Sequence, residues 1–312
     1  MHAGSGDSII GIDWGTSGFR AYLIDGDGAV RDRIQEAAGV ASLDRAGMAA
    51  AATRVRARWP DAARAYAAGM IGANIGWTDA GYVGCPAGRE RLCGALVPAR
   101  IGELELRIVP GLACVRVHDG APDIMRGEET ELFGLLAAGR LADAPVVALP
   151  GTHTKWVRLD GERVAEFMTA MSGELHDRLS AGGVLASVVE GPGADGAAFR
   201  DGVHAGAART LGLGALLFGV RARAIREGLD RADASAYLRG LLLGAEIADA
   251  LALFPHMRDA TVPLVGAAPV RALYAAALEA LGVASLPVDS ADAAARGFAW
   301  IDAHRAPQQA PA

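Results

Sequence analysis

The chain has 312 residues, 52% of them hydrophobic and 21% charged, which is typical of a globular protein with a buried core and excludes a disordered one. The net charge is −6 and no basic block occurs, so no nucleic-acid partner is expected. No apolar run is long enough to span a bilayer, and segment 1–7 is polar without a signal-peptide core. Cys85, Cys93 and Cys114 lack metal-ligand spacing and cannot all pair, which favours a reduced, cytoplasmic setting. No membrane partner is expected, because no apolar run is long enough.

The first part of the chain is predicted to run from strands into helices. Apolar periodicity, interrupted by glycine and proline, marks the elements. The predicted strands lie at about 8–13, 18–24, 29–37, 65–71, 92–97, 105–109 and 115–117, and the predicted helices near 43–58 and 123–136.

The second part repeats this order. It has predicted strands at about 145–149, 154–159, 163–170, 262–265 and 284–288, a helical region from 172 to 253 that breaks at 182–183 and 191–193, and helices at 268–281 and 291–304. Strands followed by helices in both halves predict two similar α/β domains, each a mixed sheet flanked by helices. We expect domains at 1–138 and 139–290, a terminal helix at 291–305 that packs back on the first domain, and a disordered tail at 306–312.

A Gly-Thr-Ser turn follows the first strand, and we call Gly15, Thr16 and Ser17 the first tip. Glycine lets the backbone approach a ligand, successive N–H groups bind anions, and the hydroxyls add donors. Asp13 ends the buried strand, where an unpaired carboxylate is unfavourable, and its position fits a contact through water to Mg²⁺ on ATP phosphates. An ordinary structural hairpin is the alternative.

A second copy of this pattern begins at Gly151 and Thr152 and continues through His153, Thr154 and Lys155. We call residues 151–154 the second tip. Leu149 stands where the first copy has Asp13, so only the first tip supplies an acid. Two such tips, one in each half, favour a pair of domains that grip one phosphate chain. Lys155 is interpreted either as a neutraliser of phosphate charge or as an exposed hairpin lysine.

Polar residues elsewhere suggest the remaining chemistry. Glu128 or Glu129 is predicted as the general base that takes a proton from an attacking hydroxyl, and the alternative is a solvated helix start. Asn74 and Trp77 follow a strand end, where α/β sheets place ligands, and are expected to contact a sugar. The turn at 266–267, which contains Gly266 and Ala267, would let the adenosine lie against the backbone.

Several motifs extend these patterns into a family resemblance. The two tips resemble those of the superfamily of sugar kinases, actin and heat-shock chaperone ATPases. The chain also closely resembles the 2-keto-3-deoxygalactonate kinases over about 8–304, through Gly69–Trp77, Met125–Thr130, Leu149–Trp156 and Ser172–Leu175.

The resemblance implies two ribonuclease H-like (actin-like ATPase) domains with a nucleotide cleft between them. It implies a cytoplasmic kinase that uses ATP and Mg²⁺ to phosphorylate the 6-hydroxyl of 2-dehydro-3-deoxy-D-galactonate in galactonate breakdown. Arg20 or Arg126 is expected to face the substrate carboxylate. Ser172 is interpreted first as a helix N-cap, and the resemblance adds a role in substrate binding.

Two other functions stay open at this stage. A phosphatase or ATPase of the same fold would hydrolyse its substrate with no sugar present. A non-enzymatic sugar-sensing regulator would need a further binding surface. The sequence leaves a homodimer open, and it does not separate galactonate-derived from gluconate-derived acids.

Overall fold

The computed structural model describes residues 8–141 and 143–305, which form two compact units. The first unit comprises residues 8–141, 160–166 and 290–305, and the second comprises 143–159 and 167–289. The polar segment 1–7 lies outside the described residues, and so does the tail 306–312, which was expected to be disordered.

The chain begins with strands that alternate with a few helices. In order, these elements are β1 (Ile9–Trp14), β2 (Phe19–Ile24), β3 (Val30–Glu36), α1 (Arg45–Arg58), β4 (Arg64–Ala68), β5 (Tyr82–Gly84), α2 (Arg89–Gly94), β6 (Val97–Ile101), β7 (Leu104–Ile108), β8 (Gly111–Val115), β9 (Pro122–Met125) and α3 (Glu128–Ala137).

The remaining elements start with three strands and continue mainly as helices. They are β10 (Val146–Leu149), β11 (Thr154–Asp160), β12 (Arg163–Ala170), α4 (Ser172–Ala181), α5 (Gly183–Ala186), α6 (Ala197–Ala208), α7 (Leu213–Arg226), α8 (Arg231–Leu253), β13 (Val262–Val265), α9 (Ala268–Ala280), β14 (Ser285–Val288) and α10 (Ala293–His304).

The two main sheets share one topology. The six-stranded sheet has the order β3-β2-β1-β4-β7-β6, and the five-stranded sheet has the order β12-β11-β10-β13-β14. In each, the first strand pairs antiparallel with the second and parallel with a later strand, as β1 does with β2 and β4, and β10 with β11 and β13. This repeat confirms the α/β fold class with two similar units. The third sheet, β5-β8-β9, has three strands.

Close contacts at glycine place the last helix in the first unit. A Cβ atom on Gly11 of β1 would lie 2.3 Å from the Phe298 ring of α10, so only glycine leaves room for that ring. A Cβ atom on Gly297 would lie 2.0 Å from the Thr130 carbonyl oxygen of α3. Helices α3 and α10 therefore pack backbone to backbone, and this fixes the helix that begins at Glu128.

Helices α6 and α8 pack in the same way in the second unit. Cβ atoms placed on Gly202 or Gly206 of α6, or on Gly240 or Gly244 of α8, would lie 2.0 to 2.2 Å from carbonyl oxygens of the opposite helix. Small residues four apart lie on one helix face, which explains this close approach. The contact fixes α8, the longest helix of this unit.

Four predicted elements were wrong. The strand predicted at 115–117 shares only Val115 with β8, which ends at that residue. The strand predicted at 65–71 ends at Ala68, because Gly69 has φ +88 and turns the chain. The strand predicted at 92–97 is largely helix α2, since short apolar runs do not distinguish the two states. The helix predicted from 123 begins only at Glu128, because β9 precedes it and Gly127 has φ +107.

Within the described residues, none of the helices combines the length and the apolar character needed to cross a bilayer. All three cysteines are free.

Candidate active site

The segment 39–41 packs against the backbone of the first tip and leaves the hydroxyl side chains of the tip exposed. Gly39 lies so close that a Cβ atom on it would be 2.2 Å from the Thr16 carbonyl oxygen. The N–H groups of Val40 and Ala41 donate to the carbonyls of Gly15 and Thr16 at 3.0 Å each. Thr16 and Ser17 are exposed. The first tip thus presents two free-standing hydroxyl side chains on a fixed backbone.

Asp13 lies at the carboxyl end of β1, directly opposite Arg20 in the β1–β2 pair. Their side chains form an ion pair of 2.7 Å. Burial nevertheless raises the pKa of Asp13, and the negative charge of Glu128 adds to this rise, although Arg20 acts in the opposite direction. A Cβ atom on Gly69 would lie 3.6 Å from Asp13 Oδ1, so the end of β4 also approaches this carboxylate. Asp13 is therefore incompletely neutralised where two parallel strands end.

Glu131 is a further acid of this cluster that the sequence interpretation missed. Burial and the charge of Asp13 raise its pKa to about 7, while Arg20 and a hydrogen bond with Ser290 act against the rise. Glu128 and Glu131 are three residues apart in α3, a spacing that places two side chains on one helix face. That spacing was the available signal. Asp13, Glu128 and Glu131, which we call the carboxylate cluster, interact electrostatically with one another.

The two candidate bases have different surroundings. Glu129 is completely buried, and its carboxylate accepts hydrogen bonds from Gly127 N at 2.6 Å and from the Thr130 hydroxyl at 3.2 Å. Burial, together with the charge of Glu128, raises the pKa of Glu129 to about 8. Glu128 is only half-buried, and its Oε2 accepts a hydrogen bond from Arg126 N at 3.1 Å. Glu129 thus stabilises the helix start, and Glu128 is the one of the two that is accessible.

Arg126 is a buried cation with two donors left over. Its side chain is 4% exposed, its guanidinium carbon lies 4.4 Å from the centre of the Tyr82 ring, and Nη2 donates to the Gly81 carbonyl at 2.9 Å. Nε and Nη1 are buried and have no hydrogen-bond partner among the described residues. A Cβ atom on Gly72 would lie 3.0 Å from Nη1, so Nη1 lies against the turn after β4. The Asp79 carboxylate lies 3.8 Å from Nη2, on the donor that is already bonded to Gly81. Buried polar groups are rarely left unpaired, so Nε and Nη1 are the donors of this guanidinium suited to an anionic ligand.

That turn contains the predicted sugar contacts. Asn74 is exposed. Trp77 packs against the first core, and the guanidinium of Arg45 covers its ring at 4.0 Å while donating to the Trp77 carbonyl at 2.9 Å. One ring face of Trp77 is thereby occupied. Asn74 is the residue of this pair whose side chain stands free of packing.

The second tip is clamped against helix α4. A Cβ atom on Gly173 would lie 2.6 Å from the Gly151 carbonyl oxygen, and Glu174 N donates to the Thr152 carbonyl at 3.2 Å. His153 and Glu174 form a side-chain contact of 2.6 Å, and the hydrogen bond from His153 is the main cause that lowers the pKa of Glu174. Thr152 and His153 are exposed. These two residues form the outward part of the second tip.

Three other predicted residues of this unit point inward. Thr154 is completely buried, so its hydroxyl does not face outward as the Thr152 side chain does. Lys155 is 5% exposed and donates to the His153 carbonyl at 3.2 Å, which makes the exposed-lysine interpretation wrong. Ser172 was wrongly interpreted as an N-cap, because Met171 occupies that position and Ser172 lies inside α4. Its hydroxyl is buried 3.5 Å from the Leu242 carbonyl oxygen.

A cavity of about 410 Å³ lies beside the second tip within the second unit. Its walls are mostly apolar and come from the second tip, the segment 192–195, α8 and α9; they include Gly151, Gly173, Pro192, Leu243, Val270, Leu273 and Tyr274. The predicted adenosine turn lies next to this region, since Gly266 has φ +145 and a Cβ atom on it would be 3.0 Å from the Pro150 carbonyl oxygen. Neither Gly266 nor Ala267 is among the residues that line the cavity. The lining residues of α9 begin two positions after Ala267, at Pro269.

A metal site is not preassembled from protein ligands. Within residues 8–141 and 143–305, no group of three or more histidine, cysteine, aspartate or glutamate side chains is arranged to hold a metal ion. The Asp13 carboxylate is the type of ligand that Mg²⁺ prefers.

Comparison with known proteins gives a consistent result. The family model of 2-keto-3-deoxy-galactonokinase matches residues 13–301. A Rhizobium meliloti (strain 1021) protein named probable 2-dehydro-3-deoxygalactonokinase DgoK1 is 39% identical over 298 residues, which cover 92% of this chain and 94% of the relative. The Escherichia coli (strain K12) 2-dehydro-3-deoxygalactonokinase is 36% identical over 274 residues, 88% of this chain and 90% of the relative.

A crystal structure of a Sinorhizobium meliloti protein described by the same enzyme name has a TM-score of 0.84 and 37% sequence identity to this chain. The match covers 95% of this chain and 97% of that one. The similarity therefore extends over both units.

Proposed function

Because the chain belongs to the family of 2-keto-3-deoxygalactonokinases, we propose that it transfers the γ-phosphoryl group of ATP to the 6-hydroxyl of 2-dehydro-3-deoxy-D-galactonate. The product is 2-dehydro-3-deoxy-6-phosphogalactonate, formed in galactonate degradation in the cytoplasm. The observation that supports a sugar acid, rather than a neutral sugar, is the buried guanidinium of Arg126 with its two unpartnered donors.

The substrate carboxylate pairs with Arg126 in this proposal. A guanidinium presents adjacent N–H groups that match two carboxylate oxygens, and such charge-assisted pairs are among the strongest hydrogen bonds in proteins. Asn74 contacts a sugar hydroxyl from the same turn, and Trp77 anchors the turn to the core of the first unit. Arg20 has a different task, because it is already paired with Asp13 at 2.7 Å.

Glu128 is the general base. It is half-buried at the start of α3 and lies two residues from Arg126, whose N–H it binds. A carboxylate within reach of the 6-hydroxyl takes its proton as the oxygen attacks phosphorus. Glu129 keeps Gly127 N paired and so holds the helix start in place.

The nucleotide occupies the cavity of the second unit, with the phosphates at the second tip. Thr152 and His153 are its outward residues, while Thr154, Lys155 and Ser172 support it from inside. Gly266 and Ala267 allow the backbone to pass close to the adenosine. Gly15, Thr16 and Ser17 of the first tip supply further donors to the phosphates.

Mg²⁺ accompanies ATP and is held through water by Asp13. The incompletely neutralised charge of Asp13 near Glu128 supports this placement. When bound, the metal shields the negative charge of the phosphates. The predicted domains at 1–138 and 139–290, and the homodimer, remain proposals.

The test is ADP release by the purified chain with MgATP, with and without 2-dehydro-3-deoxy-D-galactonate, and with its gluconate epimer in parallel. Release that requires the galactonate acid is expected. Equal release with the epimer would broaden the substrate, release without any sugar acid would replace the kinase by a hydrolase, and no release would favour a regulator.

The variant Asp13→Asn tests the proposed role of Asp13 in holding Mg²⁺. We expect turnover to fall by roughly a hundredfold or more, which is typical when a preorganised electrostatic group is removed. Folding should be retained, because the pKa of the Asp13 carboxyl is raised by burial and a neutral side chain suits that position. Unchanged turnover in a folded variant would contradict the metal role.

A further inference from the structure

A buried hydrogen-bond network lies behind the second tip. Glu246 of α8 is 3% exposed. Its Oε1 accepts a hydrogen bond from Trp156 Nε1 at 2.8 Å, and the Tyr274 hydroxyl lies 3.0 and 3.1 Å from its two oxygens. A buried carboxylate is costly unless such donors surround it. The Glu246 carboxylate therefore links Trp156 and Tyr274 through a polar contact that apolar packing alone would not provide.

The network continues from Tyr274 to the second tip. The Tyr274 hydroxyl lies 2.6 Å from Thr154 Oγ1, and Gly151 N donates to Thr154 Oγ1 at 3.3 Å. Either hydroxyl of the Tyr274–Thr154 pair can be the donor, and Thr154 Oγ1 also lies 3.4 Å from the Gly151 carbonyl oxygen, to which it can donate. Thr154 Oγ1 in turn accepts from Gly151. These bonds form one continuous chain from Glu246 to the backbone of Gly151, and the bonds of such a chain polarise one another.

We propose that Glu246, Tyr274 and Thr154 form a relay that fixes the second tip for the phosphates of the nucleotide. The three are positioning residues, since their relay atoms bind one another and the tip backbone. The identity of the ligand as ATP rests on the proposed function. Tyr274 also lines the cavity, so the relay ties the wall of the adenosine site to the phosphate tip.

The need for such a support follows from the exposed side of the tip. A Cβ atom on Gly151 would meet nothing within 4 Å, so no packing holds this glycine from outside. Gly173 and Glu174 hold the tip from the α4 side. The relay supplies the remaining restraint on the amide of Gly151. Without it, the N–H groups of the tip would have to be ordered when the phosphates bind, which weakens binding.

Tyr274→Phe tests the relay because it removes the hydroxyl and keeps the ring that lines the cavity. The matched control is Tyr237→Phe, a buried tyrosine of the same unit whose ring lies under Arg223 at 4.9 Å, outside the relay. Calorimetry with a non-hydrolysable ATP analogue and steady-state kinetics of the full chain give the readouts. We expect the Kd and the KM for ATP to rise about tenfold in Tyr274→Phe, as for one lost hydrogen bond. The KM for the sugar acid and both constants of Tyr237→Phe should stay within about twofold.

Thr154 supplies an independent test if Tyr274→Phe does not fold. Thr154→Val keeps the shape and removes the hydroxyl, whereas Thr154→Ser keeps the hydroxyl. We expect Thr154→Val to raise the KM for ATP as Tyr274→Phe does, and Thr154→Ser to restore most of the wild-type value. The double variant Thr154→Val/Tyr274→Phe should be no worse than either single variant, because both break one chain of bonds.

The outcomes separate the relay from the proposed function. Equal effects of Thr154→Val and Thr154→Ser, or unchanged ATP constants in Tyr274→Phe beside a wild type that binds ATP, would overturn the relay and leave the kinase standing. A wild type that binds no nucleotide would overturn both. ATP binding by the wild type without phosphoryl transfer, together with the expected variant pattern, would support the relay and refute the kinase.

Discussion

Replacing Arg126 by methionine separates its role in binding from its role in folding. Methionine fills a similar volume but has no donors. In the structure, Arg126 donates to the Gly81 carbonyl and stacks on Tyr82, while Nε and Nη1 are buried and form no hydrogen bond with any residue that the structure describes. If those two donors serve the substrate carboxylate, the variant loses substrate affinity while its stability changes little.

The expected magnitudes follow from these contacts. Two charge-assisted hydrogen bonds are worth roughly 1.5–3 kcal/mol each, and after the desolvation of both partners about 3 kcal/mol remains, or roughly a hundredfold in the KM for the sugar acid. For stability, the lost hydrogen bond to Gly81 and the lost contact with Tyr82 cost roughly 1 kcal/mol each. Removing two unpartnered buried donors offsets this by about 1–3 kcal/mol. The free energy of unfolding should therefore change by less than about 2 kcal/mol.

The assay compares the KM for the sugar acid and for ATP in Arg126→Met, together with urea unfolding. Arg45→Met is the matched control, since Arg45 also stacks on an aromatic ring of this unit and touches the same turn, but from its outer side. We expect only Arg126→Met to raise the KM for the sugar acid. An unchanged KM in Arg126→Met, or an equal rise in the control, would refute the assignment of Arg126 to the carboxylate.

Three further outcomes test the helix starts and their packing. Glu128→Gln should lower kcat by roughly 10²- to 10⁴-fold, as for a lost general base, whereas Glu129→Gln should lower it far less; the reverse order in a steady-state assay would exchange their roles. Because burial raises the folded pKa of Glu129 to about 8 from 4.5, stability due to its protonated form is present below pH 4.5 and is lost as the pH rises through 8. Urea unfolding between pH 5 and 9 should show this loss in wild type and a smaller one in Glu129→Gln; parallel curves would contradict it. Gly297→Ala, whose Cβ would lie 2.0 Å from the Thr130 carbonyl oxygen, should lower the unfolding free energy by about 1–3 kcal/mol, whereas Gly219→Ala, whose Cβ meets nothing within 4 Å, should not; equal thermal shifts would argue against the close packing.

Residues that repeat a local pattern were identified well from the sequence. The order of strands and helices in both halves, the two tips and the acid at the end of β1 all depend on neighbours in the chain, where periodicity and turn chemistry are strong. Two of the errors fall where a single glycine redirects the chain. Gly69 ends β4 early, and Gly127 delays α3 to Glu128, because both have positive φ.

The choice between Glu128 and Glu129 required the folded chain. The two are adjacent and chemically alike, and only the packing of α3 buries one and leaves the other accessible. Thr154 and Thr152 differ in the same way, because Thr154 begins β11 and is buried against the Tyr274 hydroxyl, whereas Thr152 lies in the exposed turn before the strand. Glu131 was detectable from its helical spacing to Glu128, but its environment was not.

The sequence by itself determined the family, the fold class and the places where phosphate, sugar acid and metal are expected, since these depend on short motifs and on the spacing of apolar residues. Tertiary structure decided which side chains of each motif are available for chemistry. It joined Glu246 and Tyr274 to Thr154, residues separated by up to 120 positions, and within the described part of the chain it gave two buried donors of Arg126 no hydrogen bond. Burial and hydrogen bonding depend on contacts between segments distant in the chain, and local patterns do not specify those contacts.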